Sequence, residues 1–196
     1  MLVERTICRL LRRTPPRPDV VFIGDSLTEF WSAADPALFR RCINRGIAGE
    51  TSREMHARFA ADVTALAPRA VHIMAGTNDV WHGDPGPDAA IARANVRAMA
   101  QAAAAHGIRP IVAAPPPICP AAEGLFGRPA LLSPLRAGIR ADAIADGFVF
   151  VDYGESLGGN GVPLRPAFTT DGVHLTRRGY RAMRGQAACA IRTALA

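Results

Sequence analysis

The chain of 196 residues contains no lysine, and all 23 of its basic residues are arginine. With 17 acidic residues the formal net charge is +6, a balance that often accompanies binding to nucleic acid or to an anionic membrane. The arginines are scattered, however, except in the segments 5–17 and 177–184. We interpret the second cluster as the solvated face of a helix, and we expect no nucleic-acid partner.

Cysteine is also scarce: the sequence contains four, Cys8, Cys42, Cys119 and Cys189. They form no C-x-x-C pair and have no histidine at metal-ligand spacing, which argues against a zinc site. Cys42 and Cys189 lie in apolar segments, so we predict that both are small buried hydrophobic residues. The cysteines therefore predict no metal site, and we expect no other cofactor.

Long hydrophobic runs are missing, because the apolar stretches are either strand-sized or interrupted by proline and glycine. This pattern predicts no transmembrane segment. The first 18 residues are charged and lack both an apolar core and a small-residue cleavage site, unlike a secretory signal peptide. We therefore expect a cytoplasmic protein, with a periplasmic or secreted location as the alternative.

Prolines at positions 15, 16 and 18 separate the amino-terminal segment from the first strand-like run. We divide the chain into a basic amino-terminal arm, residues 1–18, and a single domain, residues 19–196. A chain of this length is sufficient for one hydrophobic core.

Strand-like and helical patterns alternate along the domain. The strand-like runs are 20–23, 42–44, 70–74, 110–114 and 148–152, and the helical patterns are 52–66, 88–106, 134–145 and 176–195. Continuously apolar strands that alternate with amphipathic helices indicate an α/β fold whose parallel sheet is covered on both faces.

Two short motifs near opposite ends of the domain carry reactive groups. Gly24-Asp25-Ser26-Leu27 follows the first apolar run, which places Ser26 at the carboxyl end of a buried strand, where open α/β sheets bind their ligands. The second motif supplies His174, with Asp171 three residues before it in a glycine-containing turn. A hydroxyl, an imidazole and a carboxylate are the groups that nucleophilic ester hydrolysis requires.

Two intervening segments are expected at the same sheet edge. The segment 44–52 follows the second strand-like run and contains Gly49, and the segment 75–79 follows the third and contains Asn78. Glu29 and Glu50 flank these motifs, but no sequence feature fixes their separation, so a glycosidase pair of carboxylates is not favoured.

The four blocks supply Ser26, Gly49, Asn78 and His174 in that order. In this respect the sequence resembles the SGNH hydrolases, also called the GDSL esterase and lipase family, from about residue 20 to about residue 180. The resemblance implies a flavodoxin-like three-layer α/β/α sandwich with a five-stranded parallel sheet. The segments around Ser26 and Gly49 are most similar to the lysophospholipase and platelet-activating-factor acetylhydrolase-like members.

The same resemblance implies a role for each of these residues. Ser26 would be the nucleophile, His174 the general base and then acid, and Asp171 the group that orients the imidazole. The oxyanion hole would consist of the backbone N–H groups of Ser26 and Gly49 and the side-chain amide of Asn78. Asp25 is expected to accept hydrogen bonds from backbone N–H groups rather than to act in catalysis.

The expected function is hydrolysis of small or medium carboxylic esters, including lysophospholipids or thioesters, through an acyl-enzyme on Ser26. A carbohydrate O-acetylesterase is the alternative, followed by a non-catalytic binding protein with the same fold. Trp81, His82 and Pro116 are candidate substrate-binding residues, because they lie in or near segments that follow strand ends. The expected partner is a small-molecule ester, and no oligomeric state is predicted.

Overall fold

The computed structural model describes residues 17–82, 88–119, 129–158 and 163–196. Of the predicted amino-terminal arm, residues 1–16, including Cys8, lie outside this described part. Five parallel strands form one sheet in the order β2-β1-β3-β4-β5. The strands are β1 (Val20–Gly24), β2 (Cys42–Gly46), β3 (Ala70–Met74), β4 (Arg109–Ala114) and β5 (Val149–Asp152).

Helices connect the strands and cover the sheet. They are α1 (Ser26–Glu29), α2 (Trp31–Ala34), α3 (Ser52–Asp62), α4 (Thr77–His82), α5 (Ala89–Ala105), α6 (Leu132–Ala145), α7 (Gly154–Leu157) and α8 (Arg177–Leu195). Short 3₁₀ turns occupy Thr64–Leu66, Pro129–Leu131 and Pro166–Phe168. The predicted α/β fold and its five parallel strands are confirmed.

The predicted helix over residues 52–66 was too long. The α-helix ends at Asp62, and a 3₁₀ turn follows before the chain enters β3. Ala67 closes that turn in the left-handed region at φ 44°. The pattern of apolar residues does not distinguish an α-helix from a 3₁₀ helix over so few residues, because their periods of about 3.6 and 3.0 residues per turn are similar.

Each face of the sheet has its own apolar core. Along β1, Val21 and Ile23 pack on one side with α3, α5 and α6, and Val20 and Phe22 pack on the other. The second core includes five buried residues of α8: Tyr180, Met183, Ala187, Ala190 and Ala194. All five residues of β1 are buried, as expected for a central strand of a doubly covered parallel sheet.

One prediction about cysteine is wrong. Cys189 is exposed, because it lies on α8 outside the stripe of residues that the helix buries. Cys42 is half-buried, and Cys119 is buried.

The strand register brings the ends of three strands together. Gly24 at the end of β1 pairs with Gly46 of β2 on one side and with Met74 of β3 on the other. The loops that leave these three strands therefore begin side by side at one edge of the sheet. Within the described ranges, no helix combines the length and the apolar character needed to cross a bilayer.

Candidate active site

A sharp turn from β1 into α1 presents Ser26. Asp25 is the N-cap of α1: its Oδ1 accepts a hydrogen bond from the N–H of Leu27 at 2.9 Å. Gly24 is required at this turn, since a Cβ there would lie 2.1 Å from the hydroxyl oxygen of Thr28. Ser26 thus becomes the first residue of α1, directly at the carboxyl end of a buried strand.

Ser26 contacts a histidine that lies 148 residues away in the chain. Ser26 Oγ lies 3.0 Å from His174 Nε2, and His174 Nδ1 lies 2.6 Å from Asp171 Oδ2. The other oxygen of Asp171 accepts the backbone N–H groups of Val173, at 3.0 Å, and His174, at 2.8 Å. The structure therefore joins the predicted hydroxyl, imidazole and carboxylate in one chain of hydrogen bonds.

The hydrogen bonds of Asp171 favour its ionised form. Partial burial works against ionisation of Asp171, but the bonds from the His174 ring and from two backbone amides outweigh it and lower its pKa. The ionised carboxylate accepts a hydrogen bond from Nδ1–H of His174. In that tautomer Nε2 carries no proton, so it can accept the hydrogen bond of the Ser26 hydroxyl.

Asp25 has a different environment from Asp171. Burial raises its pKa from the usual 3.8 to about 7, although the Leu27 N–H and the nearby His174 favour the charged form. Its side chain is 2% exposed and accepts the capping hydrogen bond described above. These contacts agree with the expectation that Asp25 is a structural acceptor.

We predict a measurable stability effect for Asp25→Asn. The folded protein retains a proton on Asp25 up to about pH 7, whereas the unfolded chain releases it near pH 3.8, so this group's contribution to stability falls as the pH rises through that window. Asparagine keeps the oxygen that accepts from Leu27 but does not titrate. The free energy of unfolding, measured by chemical denaturation between about pH 4 and pH 7, should rise with pH in the variant relative to the wild type. A difference between the two proteins that does not change with pH would contradict the prediction.

The turn after β2 contains Gly49. The N–H of Ile47 donates to the carbonyl of Gly24 at 3.0 Å, and the N–H of Glu50 donates to the carbonyl of Ile47 at 3.3 Å. Gly49 has φ 84°, a left-handed conformation that glycine adopts without strain. Among the described residues the N–H groups of Gly49 and Ser26 have no acceptor, so both are available to a ligand.

Asn78 reaches the same turn from α4. Its Nδ2 donates one hydrogen to the carbonyl of Glu50 at 2.9 Å, which leaves the second hydrogen of the amide for another acceptor. The next residue, Asp79, accepts from the backbone N–H of Ser52 at 2.9 Å and from its hydroxyl at 2.5 Å. Asp79 thereby fixes the start of α3 against α4.

Two further side chains, which the sequence did not identify as site residues, stabilise the loop that contains Gly49. Glu29 Oε2 accepts the N–H of Ala48 at 2.5 Å. The guanidinium of Arg58 binds the carboxylate of Glu50, with a shortest distance of 2.5 Å, and donates to the carbonyl of Arg45 at 2.8 Å. Both carboxylates of the disfavoured glycosidase pair are therefore engaged by structural partners.

The candidate substrate-binding residues differ in their environments. Trp81 is half-buried and packs against the core shared by α3, α5 and α6. Pro116 is buried, and the side chain of His82 lies outside the described part of the structure. Their role in binding stays a prediction. In the described ranges no three His, Cys, Asp or Glu side chains converge to hold a metal ion.

Comparisons with known proteins identify the family and the fold of this chain. The sequence matches the GDSL-like Lipase/Acylhydrolase family over residues 22–182. A GDSL-like lipase from Bacteroides thetaiotaomicron is 34% identical, with a TM-score of 0.84 and 98% of both chains covered.

An acetylxylan esterase from Geobacillus stearothermophilus is 49% identical over 49 residues, which cover 25% of this chain and 22% of that enzyme. A crystal structure of an acetylxylan esterase from the same organism shares the fold, with a TM-score of 0.73 at 22% identity over 88% of this chain and 93% of that one. The match over residues 22–182 is decisive: the chain belongs to the GDSL-like lipase and acylhydrolase family of ester hydrolases.

Proposed function

We propose that the protein is a serine esterase that hydrolyses small or medium carboxylic esters through an acyl-enzyme on Ser26. The observation that carries this proposal is the chain of contacts from Ser26 Oγ to His174 Nε2, at 3.0 Å, and from His174 Nδ1 to Asp171, at 2.6 Å. These distances allow proton transfer within preformed hydrogen bonds.

The first half of the reaction is acylation. Ser26 Oγ attacks the ester carbonyl carbon while His174 Nε2 takes the hydroxyl proton, and Asp171 stabilises the imidazolium that forms. The tetrahedral intermediate collapses when the bond to the alcohol oxygen breaks and His174 returns the proton to that oxygen. The alcohol leaves, and the acyl group stays on Ser26.

Deacylation repeats the sequence with water. The water oxygen attacks the acyl carbonyl carbon while His174 removes a proton from the water. His174 then donates this proton to Ser26 Oγ as the carboxylic acid leaves. His174 therefore acts in both halves of the reaction, whereas the alcohol is present only in the first.

The negative charge on the former carbonyl oxygen needs preorganised donors. We assign this task to the N–H groups of Ser26 and Gly49 and to the second amide hydrogen of Asn78, since all three lack another acceptor among the described residues. One such donor contributes about 3–4 kcal/mol to lowering a barrier of this type.

Replacement of Glu29 should weaken this oxyanion hole indirectly. Without the contact of 2.5 Å to Ala48, the turn that contains Gly49 loses a restraint, and Gly49 N–H is less well placed for the intermediate. We expect Glu29→Ala to lower kcat about tenfold, with little change in KM. Glu29→Gln keeps an accepting oxygen and is the matched control; equal kcat values for the two variants would contradict this role.

The substrate assignment is tested with p-nitrophenyl acetate, butyrate and octanoate. We expect kcat/KM to be highest for acetate or butyrate and to fall for octanoate. The similarity of a short segment to an acetylxylan esterase supports a small acyl group. A preference for octanoate would overturn the assignment of a small or medium acyl group while leaving the serine esterase proposal intact. Acetylated xylooligosaccharide is assayed in parallel, and a strong preference for it would identify the protein as a carbohydrate O-acetylesterase.

A further inference from the structure

Two of the exposed large apolar side chains belong to the segments that follow β1 and β2. Phe30 is 44% exposed and Ile47 is 45% exposed, and both belong to segments that leave the carboxyl edge of the sheet. The N–H of Phe30 donates to the carbonyl of Ser26 at 3.0 Å, and the N–H of Ile47 donates to the carbonyl of Gly24 at 3.0 Å. The exposed parts of the Phe30 and Ile47 side chains do not contribute to either apolar core.

Phe30 is the more informative of the two residues because it contacts the proposed general base. Its ring centroid lies 5.8 Å from that of the His174 imidazole, with an angle of 48° between the planes. The neighbouring residue, Trp31, is completely buried and provides the aromatic packing in this part of the core. The phenyl ring of Phe30 is instead left partly open to solvent beside His174.

The proposed reaction places one part of the substrate next to this ring. His174 Nε2 must donate its proton to the alcohol oxygen, so that oxygen approaches the imidazole during acylation. The carbon skeleton of the alcohol therefore passes close to the imidazole and to the ring that contacts it. The acyl group, in contrast, remains attached to Ser26.

We propose that Phe30 binds the alcohol portion of the ester and favours alcohols with a ring that offers a flat apolar face. This inference rests on the proposed function. An aryl ring and the C–H face of a pyranose both offer such a face, and both can pack on a phenyl ring. Phe30 is then a specificity-determining residue for acylation.

The test compares acetate esters that produce the same acetyl-enzyme. Benzyl acetate and an acetylated methyl xylopyranoside have ring-bearing alcohols, whereas ethyl acetate has none. We expect Phe30→Ala to lower kcat/KM for at least one ring-bearing ester about 3- to 10-fold, the effect of one aromatic contact, with ethyl acetate changed less than about twofold. A loss confined to the benzyl ester identifies an aryl alcohol, and a loss confined to the pyranoside identifies a sugar.

A second measurement separates substrate contact from positioning of His174. The deacylation rate of the acetyl-enzyme, measured by single-turnover kinetics after acylation with p-nitrophenyl acetate, should be the same in Phe30→Ala and wild type, because the alcohol has already left. Poor positioning of His174 would slow deacylation and hydrolysis of ethyl acetate as well, and that result would overturn the proposal.

Two further variants complete the design. Phe30→Leu keeps an apolar side chain and should retain part of the preference for ring-bearing esters. Ile144→Ala is the matched control, since Ile144 is 63% exposed and lies at the end of α6, next to the opposite edge of the sheet. An active wild type whose preference is unchanged in Phe30→Ala refutes this inference alone, whereas a wild type that forms no acetyl-enzyme refutes the proposed function.

Discussion

Ser26→Ala is expected to lower the kcat of ester hydrolysis by at least about 10⁴-fold, the scale of loss when a serine nucleophile is removed. No other hydroxyl is recorded within hydrogen-bond distance of His174 Nε2 among the described residues. The variant should fold normally, because the Ser26 side chain forms a single hydrogen bond with the residues that the structure describes. Hydrolysis of p-nitrophenyl acetate measures the effect.

Ser32→Ala is the matched control for this experiment. The hydroxyl of Ser32 lies on α2, and its hydrogen bond, to the carbonyl of Glu29 at 3.4 Å, is long. We expect the activity of this variant to stay close to that of the wild type. If Ser26→Ala retained activity within about tenfold of the wild type while remaining folded, Ser26 could not be the nucleophile.

Asp171→Asn should produce the second-largest loss, about 10³- to 10⁴-fold in kcat. The asparagine oxygen can still accept from the N–H groups of Val173 and His174, so the turn is preserved. Its amide, however, would donate to Nδ1 of His174 and place the ring proton on Nε2. In that tautomer the imidazole can no longer accept the proton of Ser26.

Asp146→Asn is the control for removal of a carboxylate. Asp146 follows α6 near the opposite edge of the sheet and binds Arg97 at 2.7 Å on the surface. We expect no significant change in kcat. Equal activity of Asp171→Asn and wild type would show that the carboxylate does not select the tautomer of His174, and the proposed role of Asp171 would be wrong.

Much of the fold follows from local sequence patterns. The strand β3 coincides with the apolar run at 70–74, and β1 extends the predicted run by one residue, to Gly24. Each run is buried and bounded by turn residues, so burial and local preference favour the same structure. The predicted helical pattern over 176–195 agrees with α8, whose N-cap Thr176 accepts from the N–H of Gly179 at 3.2 Å.

The convergence of Ser26 with the segments that contain Gly49 and Asn78 was predictable from the sequence for a different reason. Parallel strands that alternate with helices place all their carboxyl ends at one edge, so motifs that directly follow separate strands meet there. The pairing of Asp171 with His174 is local, because three residues separate them. The segment with His174 does not directly follow a strand, so its pairing with Ser26 was expected from the resemblance to the SGNH hydrolases and not from topology.

The residues that support the site could not be predicted in the same way. The contact between Glu29 and Ala48 depends on the conformation of a turn 19 residues further along the chain. The bonds of Arg58 to Glu50 and Arg45 depend on how α3 lies against the end of β2. A sequence pattern does not contain such distances. It also does not show that the side chain of Phe30 is exposed beside His174, because apolar residues of this kind are usually buried.

Rapid-quench mass spectrometry of the wild-type protein mixed with p-nitrophenyl acetate tests the central claim most directly. We predict that one acetyl group accumulates on the protein during the first turnover and that fragmentation locates it on Ser26. Ser26→Ala should acquire no acetyl group under the same conditions. An acetyl group on another residue, or hydrolysis without any covalent intermediate in repeated time courses, would contradict the acyl-enzyme mechanism.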